Sequence, residues 1–112
     1  MTKRAPLGSH VVALAGLAGA CLPATLAAAE AELVERGRII AETFCAGCHA
    51  TGATGESPLP EAPPFRTFKQ RWPVEVLAEG LAEGLTSGHP DMPVVTMTPG
   101  EIDAFLAYLD SF

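Results

Sequence analysis

Apolar residues recur at helical spacing in three parts of the chain, and this pattern predicts three helices. The first helix is predicted from about Ala31 to Phe44, a stretch without proline. The second follows Pro73, which suits a first helical position, and its apolar positions are Val74, Leu77, Ala78, Leu81 and Leu85. The third presents one apolar face made of Ile102, Phe105, Leu106 and Leu109.

The start of the third helix carries the strongest local signals. Thr98 is a candidate N-cap, Pro99 fits the first helical position, and Glu101 completes a capping box. The second helix is less well specified, because Gly80 and Gly84 lower its helix propensity.

Two segments rich in proline and glycine separate these helices. Residues 50–67 are predicted to be a loop, since "TGATGESPLPEAPPF" contains four prolines and two glycines. A second loop, "TSGHPDMPVVTM", precedes the last helix. No segment alternates apolar and polar residues as a half-buried strand does, so the predicted fold class is all-α.

The first residues differ from the rest and resemble an export leader. Lys3 and Arg4 provide a positive start, and Val11 to Leu22 form an uncharged apolar run. The run ends near Ala27 and Ala29, whose small side chains suit a signal peptidase. These features predict an exported, periplasmic protein.

Three fates of this leader are open. The uncharged stretch 11–29 is long enough to remain as a membrane anchor, and Cys21 in "LAGAC" resembles a lipoprotein processing site. We favour cleavage, because the stretch is rich in alanine and glycine, contains Pro23 and ends in a good cleavage site. The predicted organisation is a signal peptide over 1–29 and one domain over 30–112.

Composition and charge limit what the domain can do. Without Lys3 and Arg4 it keeps all 13 acidic residues and 5 basic ones, a net charge of −8. Such a surface repels nucleic acid and suits a basic docking partner, although solubility alone would also account for it. A domain of about 80 residues has a marginal core and usually needs a disulfide, metal or cofactor.

The stretch "CAGCH" places Cys45, Cys48 and His49 within five residues. A disulfide there would close a very small loop, and a thioredoxin-like site would need a βαβ pattern that is absent. Structural zinc usually takes four ligands from two separated pairs, and the domain's only other histidine is His89. C-x-x-C-H is the attachment signature of covalent haem c, in which both thiols form thioethers and the histidine binds iron. We therefore predict one covalent haem c.

A six-coordinate haem needs a second axial ligand, and the candidates are Met92, Met97 and His89. With "CAGCH", a proline-containing loop, "HPDMP" and Tyr108 in the last helix, residues 31–112 resemble the small class I c-type cytochrome family. The resemblance implies a fold whose N- and C-terminal helices pack across the haem. It also implies that His49 and Met92 are the axial ligands of the iron. Met97 is then interpreted as a core or loop methionine.

The resemblance implies further roles for residues around the haem. Pro63 in "EAPPF" is similar to the proline whose carbonyl accepts the ring N–H of the haem histidine, with Pro64 as the alternative. Trp72 is a candidate donor to a haem propionate, or an apolar wall. Arg66 and Arg71 are candidate propionate partners or solvated surface residues.

One departure from the family concerns the contact between the two terminal helices. Gly37, eight residues before Cys45, matches the family glycine that lets these helices cross closely. Ala41 stands where the family often has an aromatic residue, so the packing on Tyr108 must differ, with Ile40 or Phe44 as candidates to compensate.

These features lead to three functional hypotheses. The first is a non-enzymatic, periplasmic one-electron carrier that binds redox proteins through an acidic surface around the haem edge. The second is a haem c subunit of a periplasmic dehydrogenase or oxidoreductase complex. The third is a ligand-binding or peroxidatic haem protein with a labile sixth position. None involves nucleic acid, and membrane insertion after cleavage is not expected.

Overall fold

The computed structural model describes residues 1–2, 8 and 22–112. Within these residues the chain forms four α-helices, named α1 (Leu22–Phe44), α2 (Phe68–Arg71), α3 (Val74–Glu83) and α4 (Pro99–Asp110), and one short 3-10 helix (Phe65–Thr67). No strand occurs in this part of the chain, so the all-α prediction is confirmed. The positive start at Lys3 and Arg4 and the Cys21 site lie outside the described residues, and the leader remains a prediction. Of the helices described, none is long and apolar enough to cross a membrane.

Helix α1 begins at Leu22, so the predicted start near Ala31 was wrong. Four of its nine extra residues are alanine, which has the highest helix propensity, and Pro23 lies in the first turn, where its missing N–H costs little. Side chains 23–32 are exposed. Packing therefore begins only near Leu33, and local propensity accounts for the first turns.

Helices α1 and α4 form the most extensive contact in the fold, and Gly37 makes it possible. A Cβ atom on Gly37 would lie 1.9 Å from the carbonyl oxygen of Ala104 and 2.7 Å from Cβ of Tyr108. The predicted close crossing is therefore confirmed. Ala41 is fully buried in the core beside this crossing.

The aromatic neighbour of Tyr108 comes from the C-terminal residue. Phe112 packs against Tyr108 with ring centroids 5.0 Å apart. Phe44 is 74% exposed and cannot supply that packing, whereas Ile40 is partly buried against the core. Of the two candidates for compensation, Phe44 is excluded, because the end of α1 turns its ring towards solvent.

The capping box at the start of α4 is confirmed. The backbone N–H of Thr98 donates to Oε2 of Glu101 at 2.8 Å, and the Thr98 hydroxyl lies 2.7 Å from the same oxygen. Hydrogen bonding to Thr98 holds the pKa of Glu101 below its usual value, with a smaller contribution from the charge of Arg36.

Helix α3 is shorter than its apolar pattern predicted. Pro73 occupies the N-cap position instead of the first helical one, and the helix ends before Gly84, whose φ of +113° suits glycine. Leu85 lies beyond the helix and pairs with Val95 through backbone hydrogen bonds of 2.8 and 3.2 Å. This pairing closes the loop that carries Met92.

The 3-10 helix and α2 were not predicted. Both lie in or next to the predicted loop 50–67, and helices of three or four residues show no clear periodicity in the sequence. Their buried residues are Phe65 and Phe68, whose ring centroids lie 4.6 Å apart with the rings tilted by 52°.

Candidate functional site

A cavity of about 760 Å³ lies between the "CAGCH" turn, α3 and the loop that precedes α4. This volume is within the range of about 300–1,000 Å³ typical of ligand pockets. Its inner lining is apolar and includes Phe65, Leu77, Leu81 and Phe105, all buried.

One wall of the cavity carries Cys45, Cys48 and His49. The end of α1 leads directly into this wall, because the Cys45 N–H donates to the carbonyl of Ala41 at 2.9 Å and the His49 N–H to that of Cys45 at 2.9 Å. Both cysteines are half-buried free thiols. Burial raises the pKa of the Cys45 thiol to about 11. The turn thus places two thiols and an imidazole along one side of the cavity.

His49 is fixed through one ring nitrogen. Its Nδ1 lies 2.8 Å from the carbonyl oxygen of Pro63, and a carbonyl can only accept, so Nδ1 carries the proton. The neutral ring then has its free lone pair on Nε2, which makes that atom available as a metal ligand. The rings of Phe65 and Phe68 lie 5.1 and 5.9 Å from the imidazole and restrict its rotation.

The loop before α4 brings all three candidates for the second axial position to the same cavity. Met97 is 8% exposed, belongs to the core cluster, and its N–H donates to the carbonyl of Leu81 at 2.8 Å. Met97 therefore lies in the core and also borders the cavity, and the choice of Met92 over Met97 as the iron ligand stays a prediction. Met92 and His89 are half-buried at the turn, where the Met92 N–H donates to the His89 carbonyl at 3.2 Å.

His89 is involved in local hydrogen bonds of its loop. Its Nδ1 accepts the N–H of Asp91 at 3.3 Å, and its own N–H donates to the Ser87 hydroxyl at 3.1 Å. These bonds show that His89 helps to hold the conformation of its loop. Met92 has no such side-chain engagement in the described structure and can extend its thioether into the cavity.

The candidate propionate partners are placed differently from one another. Trp72 and Arg71 border the cavity, and Trp72 packs edge-on against Phe68 at 5.3 Å. Arg66 instead donates to the carbonyl of Gly55 at 2.8 Å and does not border this cavity. The structure therefore brings two of the three together at the opening.

Two contacts that support the site were not anticipated. The Tyr108 hydroxyl donates to the carbonyl of Thr51 at 2.6 Å, and the Ala50 N–H donates to the Ser57 hydroxyl at 3.0 Å. They attach the segment after His49 to α4 and to its own loop. Tyr108 could have been found as the one tyrosine on the apolar face of α4, since a buried hydroxyl needs a partner.

The residues present fit a covalently bound haem c. The cavity offers two thiols at the required spacing, an imidazole with a free Nε2, a thioether on another wall and an apolar interior. No group of three or more His, Cys, Asp or Glu side chains suited to a metal ion occurs among the described residues.

Comparison with known proteins agrees with this chemistry. A family model described as Cytochrome c matches residues 34–112, which is more than half of the chain. The matched region starts within α1 and contains every candidate residue of the cavity. No curated protein and no solved structure gives a match to the chain.

Proposed function

We propose, from the premise that this chain belongs to the cytochrome c family, that it is a periplasmic one-electron carrier between two redox proteins. Family membership establishes covalent haem c and haem-based electron transfer in general, and it indicates a carrier rather than a catalytic enzyme. The export, the partners and the individual ligands are the proposed parts.

The thiols of Cys45 and Cys48 would hold the haem by two thioether bonds. Haem c, when bound, supplies an iron that gains and loses one electron. His49 would bind through Nε2 because Nδ1 is committed to Pro63, and Met92 would provide the thioether on the other side. Two protein ligands leave no coordination position for a substrate, which favours electron transfer over catalysis.

The cavity lining also affects the reduction potential. Thioether ligation and burial away from water favour the ferrous state, and the buried Phe65, Leu81 and Phe105 provide that apolar surrounding. The observation that carries the proposal is that a single apolar cavity is bordered both by the "CAGCH" turn and by the Met92 loop.

Optical spectra of the purified holoprotein test the ligand assignment. We expect a ferric spectrum with the weak far-red absorption of a methionine–iron bond, and slow or absent binding of CO by the reduced protein. Rapid CO binding without the far-red absorption would contradict this assignment and support a ligand-binding or peroxidatic haem protein.

The size of the native protein distinguishes a free carrier from an enzyme subunit. A carrier should elute as a free monomer, whereas an obligate subunit of a dehydrogenase would remain in a larger complex.

N-terminal sequencing of the exported protein tests whether the leader is cleaved. We expect a start at Glu30, and a start at Cys21 or an intact leader would contradict cleavage.

A further inference from the structure

Helix α3 carries an unpaired row of carboxylates. Glu75, Glu79 and Glu83 recur at four-residue spacing, so they lie along one side of the helix, and all three are exposed. None of them forms a salt bridge with another described residue. On α1, by contrast, Arg38 bridges Glu35 and Glu42 at helical spacing.

Glu79 and Glu83 do not serve the stability of α3, whereas Glu75 lies in the first turn, where the helix dipole favours a negative charge. Like charges four residues apart repel each other, and Glu83 lies in the last turn, where the helix dipole disfavours a negative charge. Gly80 lowers the helix propensity further. Charges that destabilise a helix of low propensity point to a role in contacts outside that helix.

The row lies beside the apolar opening of the cavity. Val76 is 54% exposed and Trp72 is 38% exposed, and both border the cavity. Val76 is one helical turn from Glu79, so the apolar and acidic side chains are neighbours on the same helix. Two further carboxylates, Glu61 and Asp91, border the cavity directly.

We propose that Trp72, Glu75, Val76, Glu79 and Glu83, here named the α3 face, dock a redox protein whose contact surface carries lysine and arginine residues. This inference rests on the proposed function and identifies the partner's chemistry at the same cavity. The apolar side chains would exclude water at the contact, and the carboxylates would attract and orient the partner. A second copy of the chain is a poor occupant, because it would present the same negative row.

Electron transfer to small oxidants of opposite charge tests the electrostatic part. The reduced holoprotein would give one electron to the cobalt(III) of tris(phenanthroline)cobalt, a trication, or to the iron(III) of hexacyanoferrate, a trianion. In the triple variant Glu75→Gln/Glu79→Gln/Glu83→Gln we expect the rate with the trication to fall on the order of tenfold at low ionic strength. The difference should disappear at high salt, and the rate with the trianion should not fall.

A control variant with the same change in net charge tests whether the position of the three carboxylates on α3 matters. The variant Glu32→Gln/Glu56→Gln/Asp103→Asn removes three exposed carboxylates from α1, the first loop and α4. We expect it to keep most of the rate with the trication. An equal loss in this control would overturn the α3 face. Failure of the wild type to reduce either oxidant would instead contradict the proposed function.

The position of contact is tested on the wild-type holoprotein by NMR with pentalysine as the probe. Shifts should concentrate on residues 72–83, and Val76→Ser should weaken the complex with a lysine-rich peptide that carries one tryptophan. Val94→Ser is the control, because Val94 is 65% exposed but does not border the cavity. Evenly spread shifts, or a dimer of the wild type that Val76→Ser abolishes, would overturn the proposal.

Discussion

The carbonyl oxygen of Pro63 accepts a hydrogen bond from Nδ1 of His49 at 2.8 Å, across fourteen residues of chain. This bond connects the "CAGCH" turn to the proline-rich loop and leaves Nε2 of the imidazole free for the iron. A carbonyl acceptor also increases the basicity of the ring, which stabilises the ferric state. The backbone of a loop thereby influences both the orientation and the electronics of the proposed ligand.

Replacing Pro63 by Ala should raise the reduction potential. The acceptor carbonyl remains, but the freed backbone holds it less firmly, so the imidazole becomes a weaker donor to ferric iron. Voltammetry measures the change. Pro60→Ala is the control, because both variants lose a similar amount of stability, about 0.4–1 kcal/mol, through the unfolded chain. An equal potential shift in Pro60→Ala would refute the role of Pro63.

Replacing Gly37 by Ala should destabilise the protein by about 1–3 kcal/mol or more. The new methyl group would clash with the backbone of Ala104, so α1 and α4 must move apart. Urea unfolding followed by circular dichroism gives the free energy. Gly100→Ala places a methyl group at the start of α4, no closer than 4.0 Å to the side chain of Arg36, and should not destabilise. Similar losses in both variants would argue against the close crossing.

Replacing Met92 and Met97 by Ala should give opposite phenotypes. Met92→Ala should abolish the methionine–iron absorption and open the iron to CO, with a smaller effect on the core. Met97→Ala should keep that absorption but lose about 2–5 kcal/mol of stability, because Met97 is buried in the core. If only Met97→Ala loses the far-red band, the ligand assignment is wrong.

Replacing Tyr108 by Phe should cost about 0.5–1.5 kcal/mol, because the hydrogen bond to the Thr51 carbonyl is lost. Burial, and secondarily the charge of Glu42, raise the pKa of Tyr108 in the folded protein. The associated stability is present below the unfolded pKa and is lost as the pH rises through the folded pKa. Unfolding at neutral and alkaline pH should show a smaller alkaline loss in Tyr108→Phe than in the wild type.

Replacing Glu101 by Gln should reduce the loss of folding stability that the protein shows as the pH falls into the acidic range. The folded pKa of Glu101 is lowered, so its contribution is present above the unfolded pKa and is lost as the pH falls through the folded one. Thermal unfolding between neutral and acidic pH measures this. Asp103→Asn removes an exposed carboxylate of the same helix outside the capping box and should keep the wild-type profile. Matching profiles for the wild type and Glu101→Gln would contradict the prediction.

Features that depend on residue type and short spacing could be predicted from the sequence. The chemistry of "CAGCH" follows from two thiols and an imidazole within five residues, and the capping box from Thr98 and Glu101, which interact within one turn. The all-α class and the close approach at Gly37 were also correct. The unanticipated first turns of α1 have a local cause as well, since an alanine-rich stretch forms helix without tertiary contacts.

Features that depend on distant contacts were decided only by the tertiary structure. The same local pattern allowed Leu85 inside α3, but Leu85 lies beyond the C-cap Gly84 and pairs with Val95. Phe44 and Phe112 were both available to Tyr108, and the direction of the chain at the end of α1 excluded the first. Sequence alone thus determined that the chain can bind a haem c, because the two thiols and the imidazole of "CAGCH" lie within five residues. Only the fold decided which side chains border the cavity, because that depends on segments far apart in the chain.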